Sequence, residues 1–211
     1  MASSKNLKNE AYQFLKKKIL MNELAPNEYL EEKKICEWTG MSRTPIREAI
    51  NRLAQEGLVT VIPNKGGFVA SLDIQRVREL FEARIELEPM VLKKGFERID
   101  PEVMERFRRE FEEGLEKKDY PFLHEKDYEF HNYLNSLCGN EFLVRTMDHL
   151  QDLFQMIRTQ DFYSRERTEN GAREHIQMID LAGRGDREAM AELLILHIQN
   201  TERYYYQSLV H

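Results

Sequence analysis

The spacing of hydrophobic residues divides the chain into a mixed N-terminal part and a helical remainder. Apolar residues recur every three or four positions over residues 7–20, 32–39 and 44–53, a pattern typical of amphipathic helices. Residues 58–70 instead carry two runs rich in β-branched residues on either side of a Pro-Asn-Lys-Gly-Gly segment, which indicates a β-hairpin. The order helix, helix, turn, helix, hairpin predicts a winged helix-turn-helix domain over residues 1–71.

From residue 72 to the end, helical periodicity continues and no strand pattern is found. Pro89 falls inside the first of these helices, where a proline either bends a helix or divides it in two. We therefore predict a mainly α protein, with an all-α bundle of six or seven helices over residues 72–211. The predicted bundle helices cover residues 73–99, 102–118, 121–137, 141–163, 168–182 and 187–208.

The third helix of the N-terminal part has the most informative outward face. Thr44 before Pro45 predicts the start of this helix, since threonine caps free N–H groups and proline tolerates the first helical position. Arg43, Thr44 and Arg47 then face outward. Two arginines four apart at the start of an exposed helix suit a helix that enters the DNA major groove with its N-terminus first. An ordinary amphipathic helix with a solvated basic face remains open on these residues alone.

The predicted wing carries a second candidate contact to nucleic acid. Lys65 and Gly66 fall at the tip of the hairpin. A lysine there can meet a phosphate, and a glycine lets the backbone approach a groove closely. The sequence therefore predicts that the wing supports the helix on DNA.

Charge is distributed unevenly between the two parts. Residues 1–70 carry 11 Lys and Arg against 8 Asp and Glu, whereas the remainder carries 20 against 29. A mildly basic head on an acidic body predicts a protein that touches nucleic acid with one end only. Two cysteines inside helical patterns give no disulfide framework, and no run of 18 apolar residues occurs. The N-terminus has lysines but no apolar stretch, so we expect no signal peptide. We expect a cytoplasmic protein without a membrane span.

Charged and imidazole side chains interrupt the apolar faces of the bundle helices. Asp127 lies on the apolar face of the third bundle helix with His131 one turn on, and His175 and His197 lie beside the apolar faces of the last two helices. A single buried histidine is usually only hydrogen-bonded. Three inward histidines and an aspartate on facing helices are the usual way to build a transition-metal site in a bundle. We predict one divalent ion, with zinc the first choice and nickel, manganese or iron as alternatives.

Arg84 lies on the apolar face of the first bundle helix, where a guanidinium needs an anion. One interpretation is an internal pair with a buried Glu or Asp, or a side chain that reaches out to solvent. The other is a clamp on the carboxylate of a small metabolite that also touches the metal. Arg158, near the apolar stripe of the fourth bundle helix, is a weaker candidate for the same role.

Residues 7–70 resemble the DNA-binding domain of the GntR family of bacterial transcription regulators. The resemblance implies that Arg43 and Arg47 read bases, that Thr44 and Lys33 help to hold the DNA, and that Gly66 lies at the minor groove. Lys33 stands where the family often has Arg, so we expect a phosphate contact there instead of base reading. The resemblance rests on residues 26–30, 40–49, 56–59 and 63–69.

Residues 73–208 resemble the FCD effector-binding domain of the FadR branch of that family. Metal-binding members use an Asp and a His four apart and two later His, which carries over onto Asp127, His131, His175 and His197. Fatty-acyl-binding members lack this full set, which argues against an acyl-CoA effector. Members also carry an arginine that faces the pocket from the helix corresponding to that of Arg84.

We therefore expect a metabolite-responsive repressor rather than an enzyme. It is expected to bind a palindromic double-stranded DNA operator as a homodimer, and to respond to a small organic or sugar acid. Two alternatives remain on sequence grounds. One is a metal-dependent enzyme in which the Asp and the three His activate water, and the other is a regulator whose metal is structural or is itself the signal.

Overall fold

The computed structural model describes residues 4–158 and 164–209. Within these residues the fold is mainly α, with an N-terminal winged helix-turn-helix followed by a bundle of six helices, as predicted. The elements are α1 (Ser4–Leu20), α2 (Glu32–Thr39), α3 (Arg43–Gln55), β1 (Val59–Ile62), β2 (Gly66–Val69), α4 (Ile74–Gly95), α5 (Pro101–Lys117), α6 (Tyr120–Ser136), α7 (Glu141–Arg158), α8 (Arg165–Gly183) and α9 (Arg187–Ser208).

The helices of the N-terminal part share one apolar core. α1 and α2 both contact α3, and the inward side chains Leu15, Ile46 and Leu53 are almost completely buried. Burial of one such side chain stabilises the fold by about 1.5–3 kcal/mol. This core fixes the inward face of α3 and leaves the opposite face in solvent.

α3 begins at Arg43, so the predicted start at a Thr44 cap is wrong. Ser42 occupies the N-cap position with extended backbone and makes no capping hydrogen bond through its side chain. Pro45 is the third residue of the helix. Proline is accepted there because the N–H groups of a first turn have no partner within the helix.

The wing is a two-stranded antiparallel hairpin in which Val59 pairs with Val69 and Ile62 with Gly66. Gly66 begins β2 with φ 98°, a backbone region that favours glycine. A Cβ at this position would lie 2.8 Å from Cε2 of Tyr29. Gly66 therefore has a packing role in the protein in addition to any contact with DNA.

The bundle helices differ from prediction mainly at their ends. α4 runs unbroken through Pro89 and ends at Gly95, followed by a 3-10 turn at Phe96–Arg98, so the predicted end at residue 99 is too late. α8 begins at Arg165, three residues before the predicted start, because the Ser164 side chain accepts the N–H of Arg167 and caps the helix. The described part of α7 ends at Arg158, and the predicted continuation to 163 lies outside the described residues.

The described residues form two compact units. The first contains residues up to Ile74 and those from Asp152 to the end of α7; the second contains Gln75–Gln151 and the helices after α7. The core of the second unit includes an edge-to-face aromatic cluster in which Phe130 lies 5.3 Å from Phe107 and 5.7 Å from Phe111, measured between ring centroids. No helix in the described ranges is long and apolar enough to span a membrane.

Candidate metal centre and DNA-binding surface

Four side chains with metal-binding chemistry converge inside the second unit. Asp127 and His131 lie one turn apart on α6, His175 on α8 and His197 on α9, and one ligand atom from each lies within 4.8 Å of the others. The three imidazoles are buried, whereas the side chain of Asp127 is 14% exposed. The structure thus brings together all four residues that the sequence predicts as ligands.

Two of the separations within this cluster are those expected between ligands of a single divalent ion. Nε2 of His175 lies 3.3 Å from Nε2 of His131 and 3.6 Å from Oδ1 of Asp127. Four ligands at about 2.0–2.2 Å from a tetrahedral ion lie roughly 3.3–3.6 Å from one another. Three imidazoles and one carboxylate suit zinc, nickel and related first-row ions.

A buried carboxylate orients His131. Oε2 of Glu88 lies 3.1 Å from Nδ1 of His131, and Oε1 of Glu88 accepts a hydrogen bond from Nε of Arg84. Burial alone would raise the pKa of Glu88, but the positive charge of Arg84 and the hydrogen bond to His131 hold it at about 2. The ionised carboxylate selects the tautomer with the proton on Nδ1, which leaves Nε2 of His131 available to a metal.

A second carboxylate orients His197 in the same manner. Oε2 of Glu174 accepts hydrogen bonds from Nδ1 of His197 at 2.6 Å and from Nη2 of Arg167 at 2.7 Å, and Oε1 accepts one from Asn200 at 2.8 Å. Burial would raise the pKa of Glu174, but the hydrogen bonds from His197 and Arg167 hold it at about 2. Burial also lowers the pKa of His197 to about 4, so its ring is neutral at pH 7. A neutral ring held by Nδ1 offers Nε2 as a ligand.

Aromatic rings fix the position of His175. Its ring stacks on Phe111 at 4.9 Å between centroids, and Phe130 lies 5.0 Å away. The imidazole is fully buried between these rings. Packing thus holds the third imidazole where carboxylates hold the other two.

Arg84 is buried and pairs with Glu88, one helical turn along α4. The sequence left open an internal pair with a carboxylate, and the structure contains this pair. Glu88 contacts both Arg84 and the candidate ligand His131, so it links the two side chains. Arg158 ends α7, but its side chain lies outside the described residues.

The outward face of α3 carries the predicted DNA-reading residues. Arg43, Thr44 and Arg47 are exposed, as are Lys33 on α2 and Lys65 in the turn between the strands. Gly66, which begins β2, is half-buried. These positions leave the cations available to an external polyanion.

Sequence reasoning missed the side chains that orient the predicted site residues. Glu88 and Glu174 hold the imidazoles, Arg167 stabilises Glu174, and Glu32 accepts a hydrogen bond from Arg47. For Glu88, the sequence contains a signal: Arg84 and Glu88 are four residues apart on one helix, a spacing at which opposite charges pair. The Arg47 partner lies 15 residues away in sequence. No periodicity reveals such a distant pair.

Comparisons with known proteins match both units. Residues 7–69 match the bacterial regulatory proteins of the gntR family, and residues 79–200 match the FCD domain. The chain is 30% identical over 177 residues to the Nta operon transcriptional regulator of Aminobacter aminovorans, which covers 82% of each protein.

Two other relatives are transcriptional regulators by name, and a solved structure has the same fold. The chain is 27% identical over 196 residues to the uncharacterized regulator YdhC of Bacillus subtilis, covering 90% of this chain and 86% of the relative. It is 23% identical over 193 residues to the HTH-type transcriptional repressor RspR of Escherichia coli, covering 90% and 85%. The structure of E. coli McbR/YncC superposes with a TM-score of 0.85 at 20% identity, covering 99% of this chain and 100% of that one. The chain belongs to the GntR family as a FadR-type member with an FCD domain, and is therefore a DNA-binding transcriptional regulator and not an enzyme.

Proposed function

We propose that this protein is a homodimeric repressor whose operator affinity is controlled by a small carboxylate bound at a metal site in its FCD domain. The observation that carries this proposal is the convergence of Asp127 and three oriented imidazoles, with a buried arginine adjoining the site through Glu88. Repression is supported by the relative from E. coli that is named as a repressor. The winged helix supplies DNA binding, and the bundle supplies the response.

The exposed residues of the first unit are proposed to make two kinds of contact with DNA, to bases and to the backbone. Arg43 and Arg47 read base edges in the major groove, where an arginine pairs with guanine through two hydrogen bonds. Thr44 and the two lysines, Lys33 and Lys65, contact the backbone. Such contacts fix the register on the duplex without carrying sequence information. Gly66 is proposed to bring the wing backbone to the minor groove.

A homodimer follows from the limited reach of a single recognition helix. One helix contacts only a few base pairs, so a two-fold dimer that reads a palindrome with half-sites about 34–36 Å apart gains the required specificity. The ligand then acts by favouring one placement of the two DNA-binding heads, since an equilibrium shifts only through differential affinity.

The proposed metal is held by Asp127, His131, His175 and His197, with zinc as the first choice. A bound ion supplies a positive charge and a coordination position for an oxygen ligand. The burial of the three imidazoles, the neutral ring of His197 and the carboxylate partners of His131 and His197 match the usual surroundings of such ions. Nickel, manganese and iron remain alternatives, because imidazole and carboxylate donors accept all of them.

The carboxylate partner of His197 gives a direct test of this arrangement. Glu174→Gln removes the charge that holds the Nδ1 proton, so zinc affinity is expected to fall by about 10- to 100-fold. Affinity is measured by competition with a chelating dye. Glu169→Gln on the same helix is the matched control, since Glu169 pairs with the exposed Arg173 and is expected to leave zinc affinity unchanged. Equal affinities for the two variants would show that Glu174 does not support the metal.

Arg84 is proposed to bind the effector carboxylate beside the metal. A buried guanidinium and a metal ion provide two positive anchors, which suit a small organic or sugar acid better than a neutral sugar. The pair with Glu88 adds a route for coupling, because an acid that draws Arg84 away weakens the support of His131. Effector and metal would then influence each other through Glu88.

Arg84→Lys is expected to remove the response to acids while it preserves the metal. Lysine keeps a positive charge for Glu88 but lacks the planar fork that binds a carboxylate bidentately. Arg84→Ala is a poorer test, since it leaves the buried Glu88 charge without its arginine, and breaking a buried pair costs about 3–5 kcal/mol. The measurement is a thermal-shift screen of zinc-loaded protein with acetate, lactate, malate and gluconate. A variant that responds as strongly as the parent, or a parent that responds to none of these acids, would contradict the proposal.

A further inference from the structure

The arginine at the second turn of the recognition helix is held by a carboxylate from the preceding helix. Nε of Arg47 donates to Oε1 of Glu32 at 2.8 Å and to Oε2 at 2.9 Å. Within the described residues, Glu32 is the side-chain partner of Arg47. The carboxylate engages only Nε, so the two terminal nitrogens of the guanidinium take no part in the pair. Both side chains are partly exposed, at 60% for Arg47 and 30% for Glu32.

We propose that Glu32 is a positioning residue for sequence readout, and this inference rests on the proposed base contact of Arg47. An arginine can offer guanine two donors either through Nε and one terminal nitrogen or through both terminal nitrogens. With Nε committed to Glu32, only the second arrangement remains. Glu32 thereby fixes the direction from which Arg47 approaches a base pair.

The electrostatic effect of Glu32 on DNA is opposite in sign to this positioning effect. A carboxylate on the surface that meets DNA repels phosphates and weakens binding to every sequence. A preoriented arginine, in contrast, strengthens binding only where the correct base is present, because less side-chain freedom is lost on contact. Glu32 therefore lowers the affinity for DNA of any sequence and raises the discrimination between base pairs. The two effects can be measured separately.

Glu31 provides a matched control. It precedes Glu32 and is exposed, and its side chain makes no capping hydrogen bond to α2. Glu31→Gln and Glu32→Gln remove the same charge at adjacent positions, but only the second removes the partner of Arg47. A difference between the two variants therefore reports on the contact and not on net charge.

The experiment uses the full-length protein and a duplex selected by the parent from a random pool. Dissociation constants are measured for this duplex, for single base-pair substitutions of it and for an unrelated duplex. Both variants should bind the unrelated duplex more tightly than the parent. Only Glu32→Gln should lose discrimination, by roughly tenfold, at the base pair where Arg47→Ala also loses it. When Glu32→Gln is combined with Arg47→Ala, it should add no further loss of discrimination at that base pair.

Three outcomes would overturn the inference in distinguishable ways. If Arg47→Ala leaves discrimination intact, Arg47 reads no base and the proposed DNA contact fails together with this inference. If Arg47→Ala relaxes discrimination while Glu32→Gln behaves like Glu31→Gln, only the positioning role fails. If Glu32→Gln instead relaxes a different base pair, then Glu32 contacts a base itself, as a carboxylate does when it accepts from cytosine.

Discussion

Replacement of His175 by alanine is expected to abolish stoichiometric metal binding. This imidazole lies between the other ligands, with Nε2 3.3 Å from Nε2 of His131 and 3.6 Å from Oδ1 of Asp127. Its loss removes the donor that connects α8 to α6, and a site with fewer ligands does not retain a divalent ion through purification. Elemental analysis of protein purified without chelator or histidine tag measures the effect. The parent should contain about one ion per chain.

Two further variants separate metal loss from unfolding. Because His175 is fully buried against Phe111, its truncation also leaves a cavity that destabilises the fold. Asp127→Asn keeps the shape of a partly exposed ligand and should still lower metal content and the zinc-dependent rise in melting temperature. His149→Ala, on α7 outside the cluster, should change neither. A parent that holds well under one ion per chain and shows no thermal response to zinc, nickel or manganese would contradict the metal site.

Arg47→Ala is expected to cost about 1–3 kcal/mol of specific DNA binding and to relax specificity at one base position. Arg43→Ala should have an effect of similar size at a different position, since the two arginines lie one turn apart on the exposed face of α3. The physical reason is the loss of two directed hydrogen bonds to a base, which a water molecule does not replace with the same selectivity. Fluorescence anisotropy with single base-pair variants of the selected duplex measures both quantities.

Lys65→Ala supplies the contrast for this experiment. An exposed lysine in the wing that contacts a phosphate should affect all sequences equally and reduce the slope of log K against log salt by about one unit. If Arg47→Ala instead weakens all duplexes equally, as expected for Lys65→Ala, then Arg47 contacts the backbone. In that case the assignment of α3 as the base-reading helix would be wrong.

Features set by neighbouring residues could be predicted from the sequence. The apolar periodicity placed the core of α3, and the four-residue spacing of Asp127 and His131 placed both on the same side of α6. Helix ends were less certain. The sequence predicts that α8 begins at residue 168, whereas the helix begins at Arg165 because Ser164 caps it earlier.

The side chains that orient the site could not be predicted in the same way. Glu174 follows no apolar pattern, and its contact with His197 depends on how α8 packs against α9. The pair of Arg84 and Glu88 was foreseeable from its spacing, but the contact of Glu88 with His131 joins residues 43 positions apart. Periodicity identifies which residues face the interior, whereas their partners are determined by tertiary packing.

The proposed site contains the same arrangement twice: a buried arginine pairs with a carboxylate, which in turn holds a histidine. Arg84 stabilises Glu88, which holds His131, and Arg167 stabilises Glu174, which holds His197. The pKa of each carboxylate is thus held low, although Glu88 is buried and Glu174 half-buried. An anion that competes for Arg84 would act on one of these two supports and leave the other intact. This asymmetry would allow binding of the proposed ligand to change one side of the proposed metal site.

The most direct test is an operator-binding titration of the same protein preparation in four states: metal-depleted or zinc-loaded, each with and without acid. The probes are acetate, lactate, malate and gluconate, and the metal content is checked after each addition so that chelation is recognised. The account predicts that at least one acid changes the operator dissociation constant of the zinc-loaded parent by about 5- to 150-fold, and that metal-depleted protein and zinc-loaded Arg84→Lys show no such change. An operator affinity that is the same in all four states would contradict it.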